Sequence, residues 1–144
     1  MAEAKQGVIP HLVVDDAAAA IEFYRNALGA TETFRAPAQD GKRLMHAQIE
    51  VNGAAIFLRD DFPEYRTGEG CSSVAAPKAL GGTTATIHLE VENCDQAVAQ
   101  AEAAGAKVVL APMDAFWGAR YAQVVDPFGH SWSFAHPLPP VGPS

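Results

Sequence analysis

His11-Leu12-Val13-Val14-Asp15 is answered by His88-Leu89-Glu90-Val91-Glu92, 77 residues further along the chain. The correspondence continues beyond the opening segment. Ala27-Leu28-Gly29-Ala30 stands 76 residues before Ala103-Ala104-Gly105-Ala106, and Ala47-Gln48-Ile49 stands 75 before Ala122-Gln123-Val124. Drifts of one residue are what loops of unequal length leave behind. A period this long marks a duplicated module, not a stacked solenoid.

Each copy reads as strand, helix and three further strands. Alternating apolar positions predict strands near 8–14 and 84–91. Asp16 and Asn93 follow as N-caps, whose side-chain oxygens can accept from the first free helical N–H groups. Helices are expected over 17–28 and 94–104, ended by Gly29 and Gly105, which tolerate positive φ at a helix C-terminus. In the first copy the remaining strands fall near 31–36, 43–51 and 54–60, with Asn52-Gly53 as a hairpin signal. In the second they fall near 107–110, 119–125 and 131–135. There Asp126-Pro127-Phe128-Gly129 carries type I turn chemistry. The fold class is therefore α+β, two tandem βαβββ modules whose mixed sheets form a cup.

The whole chain, 1–144, is read as one domain: module one about 8–60, a linker 61–82, module two about 83–136 and an extended, flexible tail 137–144. Its 144 residues suffice to bury roughly 68–70% of the unfolded surface. The linker is rich in Gly, Ser and Pro and suits a connector, a flap or a crossover arm. A formal charge of −7 with scattered Lys and Arg offers no basic stripe, so nucleic acid is not an expected partner. No apolar run approaches the ~20 residues needed to cross a bilayer, and the N-terminus lacks a secretory pattern. A cytoplasmic protein without a membrane partner is expected. The two cysteines, Cys71 and Cys94, lack metal or redox spacing and read as reduced and non-catalytic.

Period-two alternation assigns faces. Leu12 and Val14 should meet the first helix, leaving Ile9, His11 and Val13 opposite. Met45, Ala47, Ile49 and Val51 should pack inward, turning Leu44, His46, Gln48 and Glu50 away. Ile56 and Leu58, like Trp132 and Phe134, should seal the helix side, so Phe57, Arg59, Ser131 and Ser133 look out. Thr86, His88, Glu90, Tyr121 and Gln123 take the same outward side in module two. Each sheet thus carries an apolar face under its helix and a polar one beyond it. Two such polar faces, curved together, line a cavity.

Three segments, IPHLVVDDAAAAIEFYRNALGA (9–30), IHLEVENCDQAVAQAEAAGA (87–106) and VVDPFGHSWSFA (124–135), resemble the vicinal oxygen chelate superfamily of glyoxalases, bleomycin-resistance proteins and extradiol dioxygenases. The resemblance covers about residues 8–136 and is nearest to the small bacterial glyoxalase-like branch. It implies paired βαβββ modules, a cup-shaped small-molecule site and commonly a homodimer. Metal-dependent members take His or Gln from the first strand and Glu from the last strand of each module. Those positions correspond here to Ile9, Phe57, Thr86 and Ser133, none of them a usual ligand.

Two readings of function follow. In the first, the protein binds or sequesters a small, partly aromatic ligand without metal or other cofactor. His11, His46, Gln48, Phe57, Arg59, His88, Trp117, Tyr121, Gln123 and Ser133 would line its site, with Trp117 stacking on a planar ligand and Arg59 facing either a ligand carboxylate or Asp60, Asp61 and solvent. In the second, His11 and His88 hold a divalent metal at a shifted site of a lyase, isomerase or dioxygenase, with Glu50 or Glu90 as catalytic base. His130 and His136 are expected at the surface or an interface. The sequence contains no phosphate-binding glycine loop and no nucleophile elbow.

Overall fold

The computed structural model describes residues 6–66 and 74–140. Module one runs β1 (His11–Val14), α1 (Ala17–Leu28), β2 (Thr31–Pro37), β3 (Leu44–Val51) and β4 (Ala54–Asp60). A 3-10 turn (Pro63–Arg66) and a short helix α2 (Pro77–Leu80) belong to the connecting segment. Module two follows as β5 (Thr86–Glu90), α3 (Cys94–Ala104), β6 (Lys107–Asp114), β7 (Ala119–Val125) and β8 (Ser131–Pro137). The sheets have matching orders, β1-β4-β3-β2 and β5-β8-β7-β6. In each the module's first and last strands pair parallel and the other pairs are antiparallel. These are the two tandem βαβββ modules the repeat predicts.

The helix ends form for the stated reasons. Asp16 accepts from the Ala19 N–H and Asn93 from the Gln96 N–H, while Gly29 takes φ +70°. A second acceptor serves each helix from the last strand of its own module. Asp60 Oδ1 takes the Ala17 N–H at 2.9 Å, and His136 Nδ1 takes the Cys94 N–H at 2.8 Å. Asn52 and Gly53 both adopt positive φ, +51° and +82°, closing the β3–β4 hairpin.

The segment beyond β4 is more than a tether. Phe62, Ala75 and Ala76 are buried, and Arg43 lies over the Phe62 ring at 4.4 Å while pairing with Glu64. Cys71 and the tail beyond residue 140 lie outside the described residues. Pro137, the first residue of the expected tail, closes β8 instead.

Two sequence expectations fail at β-bulges. Leu44 is buried and Met45 is 49% exposed, the reverse of strict alternation. The β2–β3 register slips between Ala36 and Pro37, and one extra residue there exchanges the faces at the start of β3. Strand β6 runs to Asp114, four residues past its expected end. Pro112 is tolerated because β6 is an edge strand and its register shifts between Leu110 and Met113.

Apolar burial joins the modules. Leu12, Val14, Ile49, Ile56 and Leu58 pack beneath α1; Val98, Val124, Trp132 and Phe134 pack beneath α3, all within one continuous core. The helices contact each other, and Gln100 donates to the Asn26 carbonyl. At the centre lies Asp126, 4% exposed. Its carboxylate accepts from Tyr24 Oη at 2.5 Å, Trp132 Nε1 at 2.8 Å, and the Phe128 and His130 N–H groups at 2.9 Å each. Four donors replace the water this carboxylate has lost, so its burial is tolerated. Cys94 is buried and its thiol contacts the Phe134 carbonyl; burial, then Asp95, pushes its pKa up, as befits an unreactive thiol.

Candidate functional site

Sheet register places the nominated side chains in rows. In module one His11 lies beside Phe57, which lies beside Gln48, which is paired with Phe34. Module two repeats the row as His88, Ser133 and Gln123. The adjoining rows differ in charge. Val13 and Arg59 are neighbours on the module-one side of the next row, whereas Glu90, Ala135 and Tyr121 align in module two.

The module-one row is an aromatic cluster. Ring centroids of His46 and Phe57 lie 4.8 Å apart, those of His11 and His46 5.6 Å, and those of His11 and Phe57 5.9 Å, all edge-to-face. Phe34 joins at 6.0 Å from His46. Phe34 was not foreseen, because β2 is an edge strand with a register shift between Glu32 and Phe34 that obscures its alternation. The Gln48 amide meets His46 Nε2 at 3.1 Å; with the amide donating, that ring nitrogen is unprotonated. The pKa of His11 is lowered, first by desolvation, then by His46 and Arg59. Arg59 is half-buried, and its Nη1 donates to the Asp60 backbone carbonyl at 3.0 Å.

Module two presents a hydrogen-bonded chain. Ser133 Oγ is 2.7 Å from His88 Nδ1, and His88 Nε2 is 2.6 Å from Glu90 Oε2. A carboxylate accepts only, so Nε2 carries a proton. In the neutral ring the Ser133 hydroxyl then donates to the lone pair of Nδ1 and fixes the ring's orientation. Although this joins a serine, a histidine and an acid, Ser133 is 2% exposed beneath His88. Its hydroxyl orients the ring and does not reach a substrate. Tyr121 stacks near His88 at 6.2 Å with 17° between the planes, and Trp117 meets Tyr121 edge-on at 5.6 Å. Trp117, 57% exposed, and Phe116, 97% exposed, stand at the tip of the β6–β7 hairpin.

The nominated residues therefore assemble into two groups. Each ring contact and side-chain hydrogen bond of these groups stays within its own module. Glu50 lies beside Ala55 at the far end of β3, exposed, and Glu90 is engaged by His88. His130 and His136 are half-buried rather than free at the surface: His130 Nε2 bonds the Val13 carbonyl at 2.8 Å, and His136 caps α3. A groove of about 830 Å3 lies elsewhere, between the end of α1 and the start of α3. Of the nominated residues only Glu90 lines it.

Among the described residues no group of three or more His, Cys, Asp or Glu side chains is placed to hold a metal ion. His88, one half of the shifted site considered above, has both ring nitrogens engaged. Ile9, Phe57, Thr86 and Ser133, which the resemblance places at the family's ligand positions, do not fit a metal.

The fold and the paired polar faces define a class, and comparison with known proteins gives the same one. Residues 8–134 match the Glyoxalase/Bleomycin resistance protein/Dioxygenase superfamily, and the chain belongs to it. An uncharacterized protein of Mycobacterium tuberculosis is 49% identical over 129 residues, which span 90% of this chain and 73% of that one. Among solved structures the chain is similar to TioX from Micromonospora sp. ML1, with a TM-score of 0.69 and 27% identity over 93% of this chain and all of that one. It is also similar to a glyoxalase/bleomycin resistance protein/dioxygenase from Nocardioides, with a TM-score of 0.67 and 26% identity over 99% and 91% of the two chains. Superfamily membership brings with it a small-molecule-binding fold. Among the described residues no helix is long and apolar enough to cross a membrane.

Proposed function

We propose that this protein binds or sequesters a small, partly aromatic molecule on the polar faces of its sheets, without a metal. The observation that carries the reading is the convergence of His11, His46, Gln48 and Phe57 on one sheet face, with ring centroids 4.8–5.9 Å apart. Polar residues scattered on a solvated face have no reason to cluster around a half-exposed phenylalanine. A face that accepts a planar ligand needs such apolar walls with a few fixed hydrogen-bonding groups. Phe57 and Ser133 at the family's carboxylate positions support metal-free binding, as does the engagement of both nitrogens of His88.

A second copy of the chain is part of the proposal. Among the described residues the ring contacts and side-chain hydrogen bonds of the two groups stay within their own modules, so module one of one protomer and module two of its partner would enclose the ligand together. Elemental analysis of protein purified without chelators should find far less than one metal per chain. A tightly held equivalent that disappears in the His11→Ala/His88→Ala double variant would refute the reading. Sedimentation should show a dimer, and compounds that quench Trp117 fluorescence should lose affinity in Phe57→Ala.

A further inference from the structure

The chain carries 17 carboxylates against 10 Lys and Arg, so a guanidinium has no shortage of partners. Arg25 pairs with Glu22 and Glu32, Arg35 with Glu32, Arg43 with Asp40 and Glu64, and Arg120 with Asp95 and Asp114. Among the arginines whose side chains are described, Arg59 alone has no carboxylate partner. Its neighbour Asp60 turns its carboxylate to the opposite side of β4, where the Ala17 and Leu44 N–H groups occupy it. Among the described residues only one of the five guanidinium N–H groups of Arg59 is committed, to the Asp60 carbonyl. Beside it stand two imidazoles and the Phe57 ring. Glu50, the carboxylate of β3 on this face, lies at the other end, paired in register with Ala55.

Resting on the ligand reading above, we infer that the module-one face is an anion subsite, in which Arg59, flanked by His11 and His46, takes the carboxylate of a small planar organic acid whose ring packs against Phe57. The charge count selects a monoanion. Among the described residues Arg59 is the one permanent cation on the face, and the depressed pKa of His11 leaves that imidazole neutral near pH 7, able to donate a hydrogen bond. A planar fork with free donors matches the two oxygens of a carboxylate. The module-two face carries Glu90 instead and repels the same group. This separates the ends of the ligand: acid toward Arg59, neutral part toward Tyr121 and Trp117.

The test uses the full chain with 2-naphthoate and with 2-naphthamide, which keeps the ring and lacks the charge. Binding is followed by histidine imidazole resonances and Trp fluorescence. Naphthoate should bind at least about tenfold more tightly than the amide, the scale of one charge-assisted hydrogen-bonded pair. Arg59→Gln should abolish that preference without weakening amide binding, Arg59→Lys should retain part of it, and Arg25→Gln should retain all of it. Saturation with naphthoate should also raise the His11 titration midpoint, because the bound anion offsets the repulsion from His46 and Arg59. A preference that survives in a folded Arg59→Gln variant overturns the inference. Equal affinities, with His11 and His46 resonances still moving, overturn the anion subsite and leave the ligand face standing. If neither probe moves those resonances, both readings fail.

Discussion

Removing the Tyr24 hydroxyl tests how the two modules are held together. Tyr24 lies on α1 of module one, is fully buried, and donates at 2.5 Å to Asp126 in the turn before β8. Tyr24→Phe keeps the ring packed on Trp132 and Phe128, whose centroids lie 5.2 and 6.3 Å away, and deletes one donor to a buried carboxylate. Hydrogen bonds to charged groups contribute about 1.5–3 kcal/mol. Three donors remain on Asp126, so the lower half of that range, about 1.5–2 kcal/mol, is the expectation. For a chain of this size that corresponds to a Tm lower by roughly 5–8 °C. Urea unfolding should show the midpoint shift at constant slope. Asp126→Asn should cost more, roughly 3–5 kcal/mol, because it removes the charge that all four donors share. The pH dependence gives a second reading of the same bond. Burial, then the Asp126 charge, raises the pKa of Tyr24 well above 10. The folded state therefore favours the protonated phenol, and this contribution is fully present below pH 10 and fades as pH climbs through the folded value. Tyr24→Phe should lack that alkaline component. A loss under 0.5 kcal/mol with an unchanged alkaline profile would refute the claim that this bond ties the modules.

Other outcomes follow from single contacts. A Cβ at Gly129, where φ is +92°, would stand 2.8 Å from Pro77 Cβ, so Gly129→Ala should destabilise by about 1–3 kcal/mol in calorimetry. Asp16→Ala removes the side-chain cap of α1 but leaves Asp60 on the Ala17 N–H, and should cost about 1 kcal/mol by urea melts. The His11 imidazole should titrate below 6.5 by NMR. Its folded pKa is depressed, so its stabilising contribution is complete above pH 6.5 and diminishes as pH falls through the folded value; Arg59→Gln should move the midpoint back up. Trp117→Phe should leave stability unchanged, since the ring is 57% exposed, while altering the affinity of any compound that stacks at the hairpin tip.

The architecture was legible because its signals are local and occur twice. Asp16 and Asn93, Gly29 and Gly105, and the alternation in β1, β4, β5 and β8 each specify an element without reference to distant residues. What misled was register. Leu44 and Met45 exchange faces at a bulge, and β6 runs through Pro112 to Asp114, beyond its expected end at 110. The sheet-face assignments brought His11, His46, Gln48 and Phe57 together because strand period alone determines them. Asp126 was read only as a turn residue, although its donors include Tyr24, 102 residues away. That Arg59 has no carboxylate partner among the described residues is equally illegible in sequence, since it depends on where neighbouring carboxylates such as Asp60 are already committed.

The two helix caps carry a consequence of their own. Duplicated modules met the same need, an acceptor for the first amide of the helix, with different chemistry: a carboxylate at Asp60 and an imidazole nitrogen at His136. A carboxylate offers two acceptor oxygens, a neutral imidazole one ring nitrogen. Asp60 thus serves the α1 amide with one oxygen and the Leu44 N–H of β3 with the other, whereas His136 serves only the α3 amide, next to the Asp95–Arg120–Asp114 ion pairs. Twin halves of one repeated design therefore moor their helices unequally: a single carboxylate ties the start of α1 to both β4 and β3, while the imidazole ties the start of α3 to β8 alone.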